Sequence, residues 1–284
     1  MTAVLIVGHA DRPEARSLAA SAVEWLSARG HQVVATPADR ANLGLASSVA
    51  EATNLDELGL VLSIGGDGTM LRAAKMVGER AVPIMGINVG LLGYLTEVEP
   101  PSLIEALDAF FAGRHSLERR LILDVSVHRV GSKTVDRYRS LNEASFEKLT
   151  AGHTVRLEVS IDGSTFTTFQ ADGLIVATPT GSTAYSLSAR GPVVSPTMRA
   201  VLVTPLSPHM LFDRTLVLGP DEPVVVAVTG SRSVGLAVDG EFVGELAPGD
   251  RVECVESETP AVFVRLYPDR FHQVLKSKFG LADR

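Results

Sequence analysis

A glycine-rich loop between a strand and a helix constrains the fold of this chain more than any other stretch. The loop reads Ile64-Gly65-Gly66-Asp67-Gly68-Thr69. The apolar run 60–64 is typical of a buried strand, and the segment 70–77 is typical of a helix. We expect Thr69 to be the N-cap of that helix and Gly78 to end it. A strand, a glycine loop and a helix in this order predict an α/β domain with a ligand at the carboxyl ends of parallel strands.

The loop is suited to phosphate, yet it carries a carboxylate. Its glycines leave backbone N–H groups beside the positive end of a helix dipole, where phosphates bind. Asp67 places a negative charge there, and no lysine follows as in a Walker loop. This carboxylate is best explained as a proton acceptor or a magnesium partner. A tight turn in which Asp67 only caps the helix is the alternative that the spacing leaves open.

Composition and charge exclude several classes of function. Cys254 is the only cysteine among 284 residues, so we expect no disulfide within the chain and a reducing, cytoplasmic location. The formal net charge of −7 argues against nucleic acid as a partner. No run approaches the ~18 apolar residues of a membrane span, so no membrane partner is expected. Residues 1–8 are predicted to form a first strand and not a signal peptide.

The period of the apolar residues divides the chain. Residues 1–115 alternate apolar strands with amphipathic helices, which predicts an α/β domain carrying the glycine loop. Residues 116–268 follow period two, and the Asp-Gly pairs at 162–163 and 239–240 predict hairpin turns. We therefore expect this second domain, including a strand at 261–266, to be mostly antiparallel β. Residues 269–284 are predicted to form a C-terminal helix that packs back on the first domain.

Two polar segments interrupt the β pattern. In the first, Asn142-Glu143, an amide beside a carboxylate suits ribose hydroxyls or a base edge, although polar pairs at strand ends are common. The second, residues 172–188, becomes small and hydroxyl-rich after Pro179. A flat ring has room against such backbone, and Thr183 and Ser188 supply hydrogen bonds. A loop that merely caps a helix explains this second segment equally well.

Taken together, three segments resemble the NAD kinase family. Gly65-Gly66-Asp67-Gly68-Thr69, Asn142-Glu143 and Thr178-Pro179-Thr180-Gly181-Ser182-Thr183-Ala184-Tyr185 follow the order and approximate spacing of that family. The glycine motif alone is shared with phosphofructokinases and with diacylglycerol and sphingosine kinases, whereas its combination with the third segment is specific. The resemblance covers nearly the whole chain. It implies a Rossmann-like α/β domain followed by an antiparallel β-sandwich domain that binds the dinucleotide.

The resemblance also implies the reaction and its requirements. The terminal phosphoryl group of ATP, or of polyphosphate, passes to the 2′-hydroxyl of the adenosine ribose of NAD and gives NADP. Magnesium or another divalent cation accompanies the donor. The family assembles as homodimers or homotetramers, so self-association is expected here as well.

Site residues follow from the resemblance, position by position. Asp67 is implied as the general base, and no residue is assigned as a metal ligand. Asp172 matches an aspartate that a neighbouring subunit contributes. Tyr94 departs from the phenylalanine of many members, and Glu241 from the glutamine of several. Contacts with the dinucleotide or its phosphates are implied for Gly66, Gly68, Thr69, Arg72, Asn142, Glu143, His153, Gln170, Asp172, Thr183, Ala184, Tyr185 and Ser188.

Two other functions are weighed against NAD kinase. A lipid kinase of the diacylglycerol or sphingosine type shares the glycine motif but needs a wide apolar cleft, whereas the segments here offer polar side chains such as Asn142, Glu143 and Asp172. A non-catalytic dinucleotide sensor gains nothing from a carboxylate at Asp67 that faces phosphates. The sequence therefore favours the kinase of NAD.

Overall fold

The computed structural model describes residues 2–46, 49–267 and 271–281. The predicted domain limits also include residues that lie outside this description, namely 1, 47, 48, 268–270 and 282–284. The chain divides into a first unit, Met1–Arg119 with Ala261–Arg284, and a second unit, Arg120–Pro260. Within the described ranges, no helix is long and apolar enough to cross a membrane.

The first unit opens with alternating strands and helices, as the sequence predicts. Its elements are β1 Ala3–Gly8, α1 Pro13–Ala28, β2 Gln32–Ala35, α2 Pro37–Leu43, β3 Ala50–Glu51, β4 Leu58–Gly65, α3 Asp67–Val77, β5 Pro83–Asn88, a 3-10 turn Pro100–Ser102, α4 Leu103–Phe111 and β6 Ser116–Arg120. Strands β1, β4 and β5 are parallel neighbours. Their residues are almost all buried because helices cover both faces of a parallel sheet of this kind.

The second unit is a pair of antiparallel sheets. Its elements are β7 Leu123–His128, β8 Val135–Ser140, β9 Glu143–Lys148, β10 Val155–Ile161, β11 Ser164–Ala171, β12 Gly173–Ala177, a 3-10 turn Thr180–Thr183, α5 Tyr185–Ser188, β13 Val201–Leu206, β14 Leu216–Leu218, β15 Val224–Val228, β16 Val234–Val238, β17 Glu241–Leu246 and β18 Arg251–Glu256. One sheet has the order β11-β10-β15-β18-β7-β8, the other β14-β13-β12-β9-β16-β17. Alternate side chains of both sheets form one apolar core around Phe146 and Phe169.

The chain then returns to the first unit with β19 Ala261–Arg265 and α6 Phe271–Lys278. The prediction that placed the strand at 261–266 in the antiparallel domain is wrong, because β19 pairs in parallel with β5. Its continuous apolar run suits a strand covered on both faces. The first sheet therefore has the order β3-β2-β1-β4-β5-β19-β6. Two residues of α6 lie near the Tyr94 ring: the centre of the Phe271 ring is 6.4 Å from its centre, and Lys278 Nζ is 4.7 Å from its centre.

The fold class and both hairpins agree with the sequence. An α/β unit and a unit of two packed antiparallel sheets confirm the predicted architecture. At the two hairpins, Asp162-Gly163 and Asp239-Gly240, all four residues have positive φ, as a type I′ turn requires. Between β4 and β5 the register pairs Gly65 with Asn88, so the loops after these strands leave the same edge of the sheet.

Candidate active site

In the first unit, the carboxylate of Asp67 joins the loops that follow β4 and β5. Its Oδ2 accepts the backbone N–H of Tyr94 at 2.9 Å, and its Oδ1 accepts the N–H of Leu95 at 2.9 Å. Gly93 must lack a side chain, because a methyl group there would overlap Asp67 Oδ1. The loop contacts thus fix both oxygens in position, and each oxygen retains a lone pair for a further donor. Burial and the Asp67 charge raise the pKa of Tyr94.

The helix α3 begins three residues earlier than the sequence predicts. Gly66 is the N-cap in extended backbone, and its carbonyl accepts from Thr69 N at 3.0 Å. Thr69 is therefore not the N-cap. It is buried within the first turn, where its hydroxyl fills the space that a side chain at Gly65 would need. Open space surrounds the missing Cβ atoms of Gly66 and Gly68, so a ligand can approach the backbone at the helix N-terminus.

Arg72 is held by the end of β1 and by α2. Its Nη2 donates to the Asp39 carboxylate at 2.7 Å and to the Gly8 carbonyl at 2.5 Å. Asp39 is fully buried and also accepts from Gly8 N and from the Thr36 hydroxyl. The Arg72 side chain is 39% exposed to solvent. The guanidinium therefore anchors α3 to β1 while it presents positive charge to solvent.

In the second unit, the polar segments singled out in the sequence come together. Strands β9 and β12 are antiparallel neighbours, and their register pairs Glu143 with Ala177. The Asn142 carbonyl accepts from Thr178 N at 2.8 Å. A methyl group at Gly181 would overlap that carbonyl, so the hydroxyl-rich segment needs glycine to pack against the Asn142 backbone. The two segments form one surface because adjacent strands deliver them.

Glu143 is the most perturbed acid of this surface. It is 6% exposed, and its Oε2 has no hydrogen-bond partner among the described residues. Burial, together with the nearby Asp239 charge, raises the pKa of Glu143 to about 7, although a hydrogen bond from Tyr185 N opposes this rise. A buried oxygen without a partner is costly unless a ligand satisfies it, and such perturbed acids cluster at functional sites.

Tyr185 and Asp172 each have a partner from β9. The Tyr185 hydroxyl donates to Glu147 Oε2 at 3.2 Å. Burial and then the charge of Glu147 raise the pKa of Tyr185 to about 12. Lys148 Nζ lies 2.5 Å from Asp172 Oδ1, and both side chains are partly exposed. Two adjacent residues of β9, Glu147 and Lys148, thus orient the predicted residues on α5 and at the end of β11.

The remaining members of the hydroxyl-rich segment are held by local contacts. The Thr183 hydroxyl donates to the Thr180 carbonyl at 3.3 Å, and Ala184 joins the 3-10 turn to α5. Tyr185 and Ser188 line a cavity of about 440 Å³ whose wall also includes Arg190 and Arg214. This volume suits a small organic ring or a phosphate-bearing group.

Two predicted residues lie apart from this surface. His153 is exposed in the loop between β9 and β10 and lines a second cavity of about 380 Å³ with Lys148 and Arg232. Gln170 is exposed near the end of β11, and its carbonyl accepts from His209 N at 2.7 Å. In the described part of the chain, neither side chain forms a hydrogen bond with Asn142 or Glu143. The geometry therefore does not support the ligand contacts that the family resemblance implies for His153 and Gln170.

Sequence reasoning missed the residues that hold the site in place. Asp39, Glu147 and Lys148 carry no motif, because ordinary strand and helix sequences contain such residues. Asp239 stands in an Asp-Gly hairpin turn, and the turn by itself accounts for an aspartate at that position. Its contacts with the Asn142 loop arise only when β16 pairs with β9. No group of three or more His, Cys, Asp or Glu residues that suits a metal ion occurs within residues 2–46, 49–267 and 271–281.

Comparison with known proteins identifies both parts of the chain. Residues 4–115 match the model of the ATP-NAD kinase N-terminal domain, and residues 141–266 match that of the ATP-NAD kinase C-terminal domain. The NAD kinase of Symbiobacterium thermophilum is 39% identical over 97% of this chain and 98% of its own length. The NAD kinase of Geotalea daltonii is 33% identical over the full length of both chains.

Solved structures agree in fold. Yeast NADH kinase complexed with NADH matches with a TM-score of 0.89 at 23% identity, over 100% of this chain and 89% of its own. An NAD kinase from Archaeoglobus fulgidus in complex with ATP matches with a TM-score of 0.74 at 24% identity, over 100% of both chains. These likenesses extend across the α/β unit and the two antiparallel sheets.

Proposed function

This chain belongs to the NAD kinase family, and from that premise we propose how its own residues convert NAD to NADP. The reaction transfers a phosphoryl group to NAD, as the names of the relatives state. We place the acceptor at the 2′-hydroxyl of the adenosine ribose, with ATP as donor and polyphosphate as a further candidate. The observation that carries the proposal is the Asp67 carboxylate, fixed by two backbone N–H groups at the glycine-lined start of α3.

Asp67 is the general base in this proposal. A ribose hydroxyl is a poor nucleophile until its proton has an acceptor. As the hydroxyl oxygen forms its bond to the terminal phosphorus, the bond from that phosphorus to the bridging oxygen breaks and ADP leaves. The hydroxyl proton passes to Asp67. The N–H groups of Tyr94 and Leu95 keep the carboxylate from rotating, so it meets the hydroxyl already oriented.

The glycines and the start of α3 serve the phosphates. Gly66 and Gly68 leave open space above backbone N–H groups at a helix N-terminus, which attracts anions. Thr69 is buried in the first turn of α3, and Arg72 adds positive charge from the same helix. Because Asp39 and Gly8 hold the Arg72 guanidinium, we propose that it acts by charge and by anchoring α3 and does not wrap around a phosphate.

Asn142, Glu143 and the segment 183–188 bind the dinucleotide in this proposal. The unpartnered Glu143 Oε2 accepts a ribose hydroxyl, and the Asn142 amide offers both a donor and an acceptor. A flat ring of the dinucleotide binds against the segment that contains Thr183, Ala184, Tyr185 and Ser188. The family resemblance adds His153 and Gln170 as peripheral contacts.

The divalent cation belongs to the donor. Magnesium binds mainly through substrate phosphates and water and needs few protein ligands. The described residues fit this arrangement, since they contain no cluster of metal-ligating side chains and both Asp67 oxygens already accept N–H groups. We therefore propose a magnesium complex of ATP as the substrate, in which the ion neutralises charge on the phosphates.

Self-association and a cytoplasmic location complete the proposal. The resemblance gives Asp172 a role toward the ligand of a neighbouring subunit, and its exposure leaves the carboxylate accessible beside Lys148. We expect a homodimer or homotetramer at assay concentration. Light scattering of the active enzyme tests this, and an active monomer contradicts it. The lipid-kinase and sensor alternatives are not favoured, because both domain models and the named relatives are NAD kinases.

The variant Asp67→Asn tests the general base. Asparagine keeps the size of aspartate but takes no proton at neutral pH, so we expect turnover to fall about 10²–10⁴-fold. NAD binding, measured by calorimetry, should change little. Asp108→Asn is the matched control, because it removes an exposed carboxylate of the same unit that pairs only loosely with Arg29 at 3.8 Å.

Three readouts separate the possible roles of Asp67. Loss of turnover with intact NAD binding and magnesium dependence supports the base. Weaker donor binding that high magnesium restores assigns Asp67 to the metal. Because asparagine can accept only one of the two loop N–H groups with its single oxygen, a purely structural role predicts a lower melting temperature with near-normal turnover. That last result refutes the catalytic proposal.

A further inference from the structure

The carboxylate of Asp239 collects four donors from the loop that carries Asn142 and Glu143. Asp239 lies in the turn between β16 and β17. Its Oδ1 accepts the Ser140 hydroxyl at 2.7 Å, Asn142 N at 2.7 Å and, more weakly, Glu143 N at 3.3 Å. Its Oδ2 accepts Leu141 N at 3.0 Å. Three successive backbone N–H groups that point at one carboxylate form an anion nest, here filled by a side chain of the same unit.

The contact runs in both directions. Asp239 N donates to the Glu143 carbonyl at 2.9 Å, and the adjoining strands pair Val238 with Ala144. The hairpin turn and the start of β9 are therefore joined by backbone pairing as well as by the carboxylate. Charge-assisted hydrogen bonds of this kind are stronger than neutral ones, so the carboxylate restricts the loop more than the pairing alone.

The turn itself does not require these bonds. The other Asp-Gly turn has nearly the same backbone, with φ of 48° at Asp162 and 73° at Gly163, against 49° at Asp239 and 78° at Gly240. Yet the exposed Asp162 carboxylate accepts no hydrogen bond within the described ranges. Aspartate is common in such turns because it tolerates positive φ. The four bonds at Asp239 are thus an additional feature, specific to its place beside the Asn142 loop.

We infer that Asp239 is a positioning residue for the reaction: it fixes the backbone of Asn142 and Glu143 so that their side chains are held for the dinucleotide. The inference rests on the proposed function of these two residues. Asp239 acts through the loop and is assigned no contact with substrate. A loop fixed before binding spares the ordering cost that a mobile one incurs, so the benefit appears as tighter NAD binding.

The charge of Asp239 has a second consequence at Glu143. Within the described part of the chain, the titratable groups that face Glu143 are Asp239 from the hairpin turn and Tyr185 from α5. Burial raises the pKa of Glu143 most, and Asp239 raises it further. Asp239 thus holds the Asn142 loop in place and disfavours the ionised form of the acid that the loop carries. Removing its charge lowers the pH at which Glu143 ionises.

The variant Asp239→Asn, with Asp162→Asn as its matched control, tests the inference. Asparagine followed by glycine is the preferred type I′ pair, so both hairpins keep their geometry. At position 239 the amide has one acceptor oxygen for four donors. Because the loop loses hydrogen bonds to a charged group, we expect the Michaelis constant for NAD to rise about tenfold. The melting temperature should fall because backbone N–H groups lose their acceptor, whereas the Michaelis constant for ATP should change little and Asp162→Asn should match the wild type.

Two further measurements make the result decisive. The Michaelis constant for NAD should fall as pH rises through the ionisation of Glu143. Asp239→Asn should move the midpoint of this pH dependence to lower pH. Equal effects of Asp239→Asn on the NAD and ATP constants, or an effect on melting temperature alone, overturn the inference. The variant Asn142→Ala tests the underlying function: if it raises the NAD constant while Asp239→Asn does not, only the positioning role fails. A wild-type NAD constant for Asn142→Ala refutes the binding role and the inference with it.

Discussion

The variant Glu143→Gln is expected to stabilise the protein at alkaline pH and not at acid pH. Glu143 is 6% exposed, one of its oxygens has no partner among the described residues, and its pKa is raised to about 7 from an ordinary 4.5. Because the folded-state pKa lies above the unfolded-state value, the folded chain binds the extra proton between about pH 4.5 and about pH 7. The stability that this proton contributes is complete below pH 4.5 and is lost as pH rises through 7.

The size of the effect follows from the pKa. A rise from 4.5 to about 7, at about 1.4 kcal/mol per pH unit, corresponds to about 3 kcal/mol in the free energy of unfolding. Glutamine has the shape of the protonated acid and never ionises, so it avoids this cost. Between pH 5 and pH 8 the stability of Glu143→Gln relative to wild type should therefore rise by about 2–3 kcal/mol.

Urea unfolding of both proteins at pH 5, 6, 7 and 8, without ligand, measures this difference. Glu258→Gln serves as the control, because it removes one carboxylate from an exposed position in the same unit. A stability difference that does not vary with pH refutes the reasoning, since it means that Glu143 is not held with a raised pKa. The same variant should bind NAD more weakly, because we propose that Glu143 accepts a hydrogen bond from the dinucleotide.

Two further substitutions test the first unit. Gly93→Ala adds a methyl group that overlaps Asp67 Oδ1, so turnover should fall at least about tenfold while calorimetry shows NAD binding nearly unchanged; wild-type turnover contradicts the assigned geometry. Arg265→Met removes the cation that lies 2.9 Å from the buried Glu97 carboxylate, and urea unfolding should show a loss of about 3–5 kcal/mol. A loss below about 1 kcal/mol, as expected for an exposed pair, refutes the role of this ion pair.

Local patterns in the sequence determined the fold class and the main motifs. The apolar runs of β1, β4 and β5 and the glycines around Asp67 predicted a parallel sheet with a loop at its carboxyl edge, and the structure confirms both. The Asp-Gly turns predicted both hairpins because only a few residues tolerate positive φ. These features depend on neighbours within a few residues, so a single sequence contains their cause.

Contacts between distant segments were decided only by the tertiary structure. The run 261–266 has the composition of a strand in either kind of sheet, and only its pairing with β5 placed it in the first unit. Asp67 is the first residue of α3, and its carboxylate accepts N–H groups from Tyr94 and Leu95, which lie 27 and 28 residues further along the chain. Asp239 reaches the Asn142 loop across 97 residues. Which carboxylate is buried, paired or left with an unsatisfied oxygen depends on such long-range packing, and residue order alone does not encode it in any local pattern.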